Sequence, residues 1–321
     1  MAVCLTILTR MSVASNLGVI KLPPYVATVV NANAPLFQHT LGIEITDPAL
    51  AAACDLGNID PQHGFMRLPV GIAAAPIGRA AIEVALGWPL PPSGSTLVTI
   101  RLDADAAGAM AVLSLRAQGR VICDDRVALV ARSDCFDFGP WADWVAANPP
   151  PLPGAPLLAL VLHPPAFRAL SAYIQAEGRT SSEAVQMMAD WLTGGPLPAA
   201  GTQLVAEADT GAAAAWRNGD IKVSLVAEDR VALICSDYRG AVGLGYRFAP
   251  VVIAEGEVAG LRKLTVAQFA TGHADFAQLS EQLAMEEAGW GGSATILGSP
   301  QGVASNLPLD RLIVLMRDYL L

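Results

Sequence analysis

Charged residues are scarce in this chain, and positively charged residues are the scarcer kind. Among 321 residues only 15% are charged, with 20 Lys and Arg against 29 Asp and Glu, for a net charge of −9. No basic run occurs, so the sequence lacks the surface with which proteins bind duplex nucleic acid. Locally placed arginines still suffice to bind a small anionic substrate.

Long apolar runs, targeting signals and paired cysteines are also missing. No apolar run reaches the ~18 residues of a membrane span, and residues 1–10 lack the basic and apolar regions of a signal peptide. The five cysteines lie far apart and mostly in apolar contexts, without a Cys-x-x-Cys pair. We therefore expect reduced core thiols in a cytoplasmic protein that does not enter a membrane. With only four histidines, a His-rich zinc site is not expected.

Apolar residues are abundant, at 53% of the chain. This content provides for one large or two ordinary domains, and it favours a subunit interface in a homo-oligomer. The order of elements predicts an α/β fold with two domains and a cleft between them. Residues 1–195 are predicted to form a doubly wound, mostly parallel sheet domain, and residues 196–321 a smaller α/β domain with a mixed sheet. The glycine- and proline-rich stretch 194–201 is the predicted linker.

Hydrophobic periodicity and turn residues locate the individual elements. Strands are predicted over 5–9, 25–31, 43–46, 95–103, 250–254 and 263–269, with a hairpin turning at 228–229. Helices are predicted over 48–54, 74–86, 104–118, 165–177, 181–192, 274–288 and 309–321.

The stretch from Ser95 to Val112 carries the main candidate site. Its apolar, β-branched run ends in Asp103 and Asp105, and a helix of small residues follows. Ligands bind at the carboxyl ends of strands in open α/β sheets, and carboxylates are the ligands that Mn²⁺ and Mg²⁺ prefer. The alternative is structural, because an aspartate before a helix commonly caps it.

Further candidates lie on loops and segment ends. Asp60 and His63 share a predicted loop, and a tight loop can place a carboxylate and an imidazole side by side; Asp134 ends an apolar run. Each has a structural alternative, as a surface or core histidine or as a capping carboxylate. All three are predicted metal ligands.

A glycine-rich stretch over residues 289–302 is the predicted anion-binding loop. Its substrate-binding candidates are Gly291, Gly292 and Ser293, because free backbone N–H groups and a hydroxyl can wrap an anion. Arg239 and Arg247 flank another glycine-rich segment and are predicted to contact a phosphate or carboxylate. Plain loop formation and surface ion pairs are the alternatives.

These motifs together resemble the DHH family of phosphoesterases, which includes exopolyphosphatases, manganese pyrophosphatases, single-strand exonucleases and enzymes that hydrolyse small nucleotides. The family's first motif is a strand ending in His-x-Asp-x-Asp before a small-residue helix, and R-L-D-A-D-A-A-G-A-M-A-V matches it with Arg101 in place of the histidine. D-P-Q-H at residues 60–63 resembles the namesake Asp-His-His, and Asp134 the family's later aspartate. G-W-G-G-S at residues 289–293 resembles its Gly-Gly-Gly-His turn.

The resemblance implies a metal-dependent hydrolase of a phosphate ester or anhydride in a small substrate. One or two Mn²⁺ or Mg²⁺ ions would be bound by a carboxylate and histidine set, and the smaller domain would close over the substrate. The implied metal ligands are Asp60, His63, Asp103, Asp105 and Asp134. The predicted catalytic residues are Asp103, Asp105 and Arg101, and either Arg101 or Arg247 would stabilise charge on the transferring group.

Two departures from the family leave other functions open. D-P-Q-H precedes the Asp-x-Asp strand instead of following it, so either the domain is circularly permuted or this loop is not the equivalent motif. Arg101 replaces a ligand and repels a second cation, which is compatible with one metal ion or none. The alternatives are a catalytically degenerate protein that binds a small anionic ligand, and a hydrolase of a non-phosphate substrate.

Overall fold

The structure is a computed structural model, and it describes residues 25–30, 38–45, 47–59, 80–135, 137–152, 162–238, 241–258, 260–292, 294–300 and 303–321. The predicted strand over 5–9 lies outside these residues.

The first part of the chain forms a parallel sheet with helices between its strands. The elements of this part are β1 Val26–Val29, β2 Thr40–Ile43, α1 Pro48–Ala53, β3 Asn58–Ile59, α2 Ala81–Gly87, β4 Thr96–Thr99, α3 Ala104–Ala117, α4 Asp124–Asp134, α5 Trp141–Ala147, α6 Pro165–Ile174 and α7 Ser181–Leu192. The strand order is β1-β4-β2-β3, and each described pairing is parallel.

Both faces of this sheet are covered. On one face Leu41 and Leu97 pack against helices α2, α3, α4, α6 and α7. On the other face Val98 packs against α1 through Leu50. Because neighbouring residues of β4 point to opposite faces and both are buried, the sheet is doubly wound.

Helix α3 lies at the centre of this layer, and every residue from Ala104 to Leu115 is buried. Its small residues allow the neighbouring helices to approach closely. A Cβ atom added at Gly108 would lie 2.6 Å from Ile82 Cδ1 of α2. This close packing fixes the start of α3 relative to the start of α2.

The second part of the chain forms a mixed sheet. Its elements are α8 Ala199–Asn218, β5 Lys222–Val226, β6 Val231–Cys235, α9 Val242–Gly245, β7 Val251–Val258, β8 Leu261–Gln268, α10 Phe276–Glu286, β9 Gly291–Gly292, β10 Ile296–Gly298 and α11 Leu309–Asp318. The strand order is β5-β6-β7-β8-β10-β9, in which β6 and β7 are parallel and the other pairs antiparallel. The α/β fold class is confirmed, and the boundary at residue 195 stays a prediction.

The second sheet is also covered on both faces. Helices α10 and α11 pack on one face. On the other, Phe269 contacts Trp144 and Phe138, at centroid distances of 5.1 and 5.7 Å. A segment that precedes α6 in the chain therefore packs against the second sheet, and it joins the two parts beside the cleft.

Several predicted elements differ in detail from the observed ones. Helix α8, with 20 residues, was not predicted, because the glycine and proline residues before Ala199 were interpreted as the whole linker. The sequence favours a turn at Asp124 and Asp125, but these two residues begin α4. It offers Ser181 or Ser182 as the cap of α7, but Thr180 caps this helix through a capping box with Glu183.

The close contact between α6 and α8 depends on Gly201. A Cβ atom at this position would lie 2.0 Å from the backbone oxygen of Ala169 and 3.1 Å from Tyr173 Cβ. We expect Gly201→Ala to lower the free energy of unfolding by about 2 kcal/mol, because neither neighbour is the end of a flexible side chain. Gly87→Ala is the matched control, since nothing lies within 4 Å of its Cβ position.

Urea denaturation of both variants measures this effect. Gly87→Ala is expected to gain about 0.5 kcal/mol, because alanine loses less backbone entropy on folding than glycine. Equal stabilities of the two variants would show that α6 and α8 are not in close contact.

The structure also bears on membrane association. Among the described residues, no helix combines the length and the apolar character that crossing a bilayer requires.

Candidate functional site

Three carboxylates converge at the carboxyl end of the parallel sheet. One ligand oxygen each of Glu44, Asp105 and Asp134 lies within 4.8 Å of the others. Two oxygens bound to one ion at about 2.1–2.4 Å lie at most about 4.2–4.8 Å apart. The spacing and the chemistry of these three donors therefore fit a divalent cation with oxygen ligands.

Glu44 is positioned by the end of β2. Its backbone is in the left-handed region, at a φ of 52°, and its N–H donates to the Ile59 oxygen at 2.7 Å. The residue is 9% exposed. A left-handed conformation costs a glutamate about 1 kcal/mol or more, and such strain often occurs at functional sites.

Asp105 is the second residue of α3, and none of its surface is exposed. Its Oδ2 accepts from the Ala81 N–H at 2.6 Å, and its Oδ1 accepts from the Ile82 N–H at 2.8 Å. Ala80, at the cap position of α2, has no side-chain oxygen to serve these donors. Asp105 therefore caps a neighbouring helix, and one of its oxygens lies within 4.8 Å of an oxygen of each of the other two carboxylates.

Negative charge accumulates at this cluster. Burial, followed by the charge of Asp134, raises the pKa of Asp105 well above its ordinary value, against the opposing effect of the two N–H donors. Burial and the same carboxylates raise the pKa of the adjacent Cys135 thiol to about 12. The thiol is thus neutral, and a bound cation would offset the repulsion among the carboxylates.

Asp103 occupies a different position from the one predicted. Strand β4 ends at Thr99, so Asp103 and Asp105 lie at the start of α3 and not at the end of the strand. Asp103 accepts from the Ala106 N–H at 3.1 Å, which is the helix-capping alternative. Asp103 is not one of the three carboxylates in this cluster, and a metal role for it stays a prediction.

Arg101 lies beside the cluster with an exposed side chain. Its Nη2 donates to Asp103 Oδ2 at 2.8 Å, and the arginine side chain is 80% exposed. Desolvation opposes its charged form, but Asp103, Glu44 and Asp134 outweigh this effect and raise the Arg101 pKa. A cation therefore already interacts with two of the three clustered carboxylates.

The cleft beside this cluster contains a cavity of about 370 Å³. Its wall on the side of the first sheet includes Glu83, Arg132 and Cys135. Thr271 and Thr295 line it from the side of the second sheet. A small substrate in this cavity would contact both parts of the chain next to Asp134.

The remaining predicted residues are distributed as follows. Asp60, His63, Arg239 and Ser293 lie outside the described residues. Gly291 and Gly292 form the edge strand β9, where a Cβ at Gly292 would lie 1.9 Å from the Ile296 oxygen, so this glycine is needed for the turn itself. Burial lowers the pKa of Arg247 at the end of α9, and its substrate role stays a prediction.

Glu44 is the residue that the sequence interpretation missed. Like Asp103, it follows a short apolar strand, so the same signal of an acidic residue after a strand marks both positions. The sequence predicts a strand over 43–46, and this range places Glu44 inside the strand. The observed strand ends at Ile43, three residues before the predicted end.

Comparison with known proteins adds little to this geometry. No protein-family model and no curated protein matches the chain. Among solved structures it is similar to a pGpG-specific phosphodiesterase, PggH from Vibrio cholerae, with a TM-score of 0.38 and 10% sequence identity. That alignment covers 82% of this chain and 92% of the other. At this level the similarity carries no argument about activity.

Proposed function

We propose that this protein is a divalent-metal-dependent hydrolase of a phosphate ester or anhydride in a small substrate. The observation that carries the proposal is the convergence of Glu44, Asp105 and Asp134 within 4.8 Å. A cavity lined by Cys135, the residue after Asp134, would accommodate the substrate. Oxygen-only ligands favour Mn²⁺ or Mg²⁺ over zinc. When bound, such an ion lowers the pKa of a coordinated water and polarises a phosphoryl oxygen.

The chain's own residues provide the remaining functions. Asp105 is held rigidly by two backbone donors, which orients one ligand before any ion binds. Arg132 lines the cavity and is placed to attract an anionic group. Thr271 and Thr295 lie across the cavity and offer neutral hydrogen-bond donors to a phosphate.

Metal-dependent turnover tests the proposal. The full chain is stripped with EDTA, and hydrolysis of bis(4-nitrophenyl) phosphate is followed with Mn²⁺, with Mg²⁺ and without metal. We expect turnover only with metal, and its loss in Glu44→Gln. Glu177→Gln, an exposed glutamate distant in sequence, is the matched control. No turnover with either ion, or equal rates for Glu44→Gln and the unmodified chain, would contradict the proposal.

Replacement of Arg101 distinguishes metal-dependent hydrolysis from ligand binding without turnover. Its charge competes with a metal ion for Glu44 and Asp134. Removing one positive charge from a largely solvated site favours a divalent ion by about 1 kcal/mol, or about five-fold in affinity. We therefore expect Arg101→Gln to bind Mn²⁺ about five-fold more tightly and to raise KM for an anionic substrate.

Isothermal titration with Mn²⁺ measures the first effect, with the exposed Arg120→Gln as control. The free energy of unfolding of Arg101→Gln should differ from that of the unmodified chain by less than about 0.5 kcal/mol, because the arginine side chain of the Arg101–Asp103 pair is exposed to solvent. Unchanged or weaker Mn²⁺ binding in Arg101→Gln would contradict a competition between the arginine and the ion.

A further inference from the structure

A second cavity adjoins the cleft and has a different chemical character. It has a volume of about 590 Å³, within the range of small-molecule sites. Helix α4 forms one wall with Ala128 and Leu129, and Phe138 and Trp144 form the facing wall. Residues 162–165, beginning with Leu162, also line the cavity. The lining is thus apolar and aromatic, in contrast to the carboxylate-rich cleft.

The aromatic side chains of this cavity are held by further rings. Phe138 lies 5.3 Å from His163 and 5.7 Å from Phe269, between ring centroids. Trp144 lies 5.1 Å from Phe269, which is 1% exposed, and His163 lies 4.8 Å from Phe167. Because each ring packs against another that is anchored in a core, the cavity wall is preorganised.

The imidazole of His163, in the wall of this cavity, carries no positive charge. Burial lowers the pKa of His163 to about 4, so the ring is neutral at pH 7. Three charged residues also line the cavity, namely Asp125, Arg132 and Asp137, and the last two pair at 3.8 Å with both side chains 65% exposed. A neutral planar ring fits this interior better than a charged group does.

The aromatic cavity and the cleft meet at one ion pair. Arg132 and Asp137 line both of them. One ligand can therefore extend from the aromatic cavity, past Arg132, into the cleft.

We propose that the aromatic cavity binds an uncharged, planar aromatic ring of the substrate while its phosphate group lies in the cleft. The assignment of a phosphate group to the cleft rests on the proposed function, whereas the binding of the ring does not. An aromatic effector that is separate from the substrate would fit the same cavity. The two cases differ in whether the ring and the phosphate group belong to one molecule.

Calorimetry with defined probes tests ring binding first. Titration of the metal-free full chain with 1-naphthol is expected to show binding at least ten-fold tighter than cyclohexanol. Ala128→Trp fills the cavity and should weaken naphthol binding at least ten-fold. Ala146→Trp, at an exposed position of α5, should leave it within two-fold. Ala128→Phe serves if tryptophan prevents folding, as judged by circular dichroism.

A second titration tests whether the ring belongs to the substrate. With Mn²⁺ present, 1-naphthyl phosphate should bind at least ten-fold tighter than 1-naphthol, and Glu44→Gln should abolish this gain. Naphthol that fails to bind, or binds Ala128→Trp equally, overturns the proposal. Naphthol binding without any gain from the phosphate, although Mn²⁺ itself binds, assigns the cavity to a separate effector and also overturns it. Failure of the proposed function is recognised separately, because Mn²⁺ alone then does not bind.

Discussion

Asp134→Asn is expected to lower Mn²⁺-dependent phosphodiester hydrolysis by about 100-fold or more while stabilising the metal-free protein. The loss of activity follows from the removal of one of three ligand carboxylates. The gain in stability follows from charge. Asp134 is the last residue of α4, where a negative side chain opposes the helix dipole, and it repels the buried Asp105.

The expected gain in the free energy of unfolding is about 1 kcal/mol without metal, because asparagine keeps hydrogen-bonding capacity and removes both repulsions. Thermal denaturation with EDTA and with saturating Mn²⁺ measures it. The unmodified chain should be stabilised by the ion and the variant should not. Asp124→Asn, at the other end of the same helix, is the control and should retain both activity and metal stabilisation. A destabilised metal-free variant with normal turnover would assign Asp134 a structural role.

Asp105→Ala is expected to lower the free energy of unfolding of the metal-free protein by about 3 kcal/mol. The carboxylate is fully buried and accepts from the N–H groups of Ala81 and Ile82. Alanine leaves both donors without an acceptor, at about 1–3 kcal/mol each, and relief of repulsion from Asp134 offsets part of this cost. Asp105→Asn keeps one acceptor oxygen and should lose only about 1 kcal/mol.

The same carboxyl predicts a pH dependence of stability. The pKa of Asp105 is raised in the folded protein relative to an unfolded value of about 3.9. At pH values between these two pKa values, the folded state binds more protons than the unfolded state. The contribution of Asp105 to stability is therefore complete below about pH 4 and is lost as the pH rises through the folded-state pKa. In the metal-free protein, the stability difference between the unmodified chain and Asp105→Asn should therefore decrease as the pH is raised. A difference that is constant between pH 4 and pH 8 would show that Asp105 is ionised throughout.

The fold class was accessible from the sequence because its signals are local. Apolar runs of strand length alternate with helical patterns up to α7, and the hairpin at Glu228 and Asp229 is marked by its turn. Helix α8 was not accessible, because its many small residues resemble a continuation of the preceding linker. It is ordered by packing, and Gly201 against Ala169 is a contact that no local pattern reveals.

The site was accessible only in part, for a related reason. Asp105 and Asp134 were recognised as acidic residues at the ends of apolar runs. Glu44 reaches them because its backbone adopts a left-handed conformation and bonds to Ile59, fifteen residues later in the chain. The capping of α2 by Asp105 spans 24 residues. Such pairings depend on the order of strands and helices in space, which the local sequence does not encode.

Mn²⁺ binding to the metal-stripped chain tests the central claim most directly. Isothermal titration of the unmodified protein, Glu44→Gln and Glu177→Gln compares the proposed ligand Glu44 with an exposed glutamate. The account predicts saturable binding to the unmodified chain and to Glu177→Gln, and a loss of at least ten-fold in affinity for Glu44→Gln. Equal Mn²⁺ affinities for all three proteins, or no binding to any of them, would contradict a metal centre at Glu44, Asp105 and Asp134.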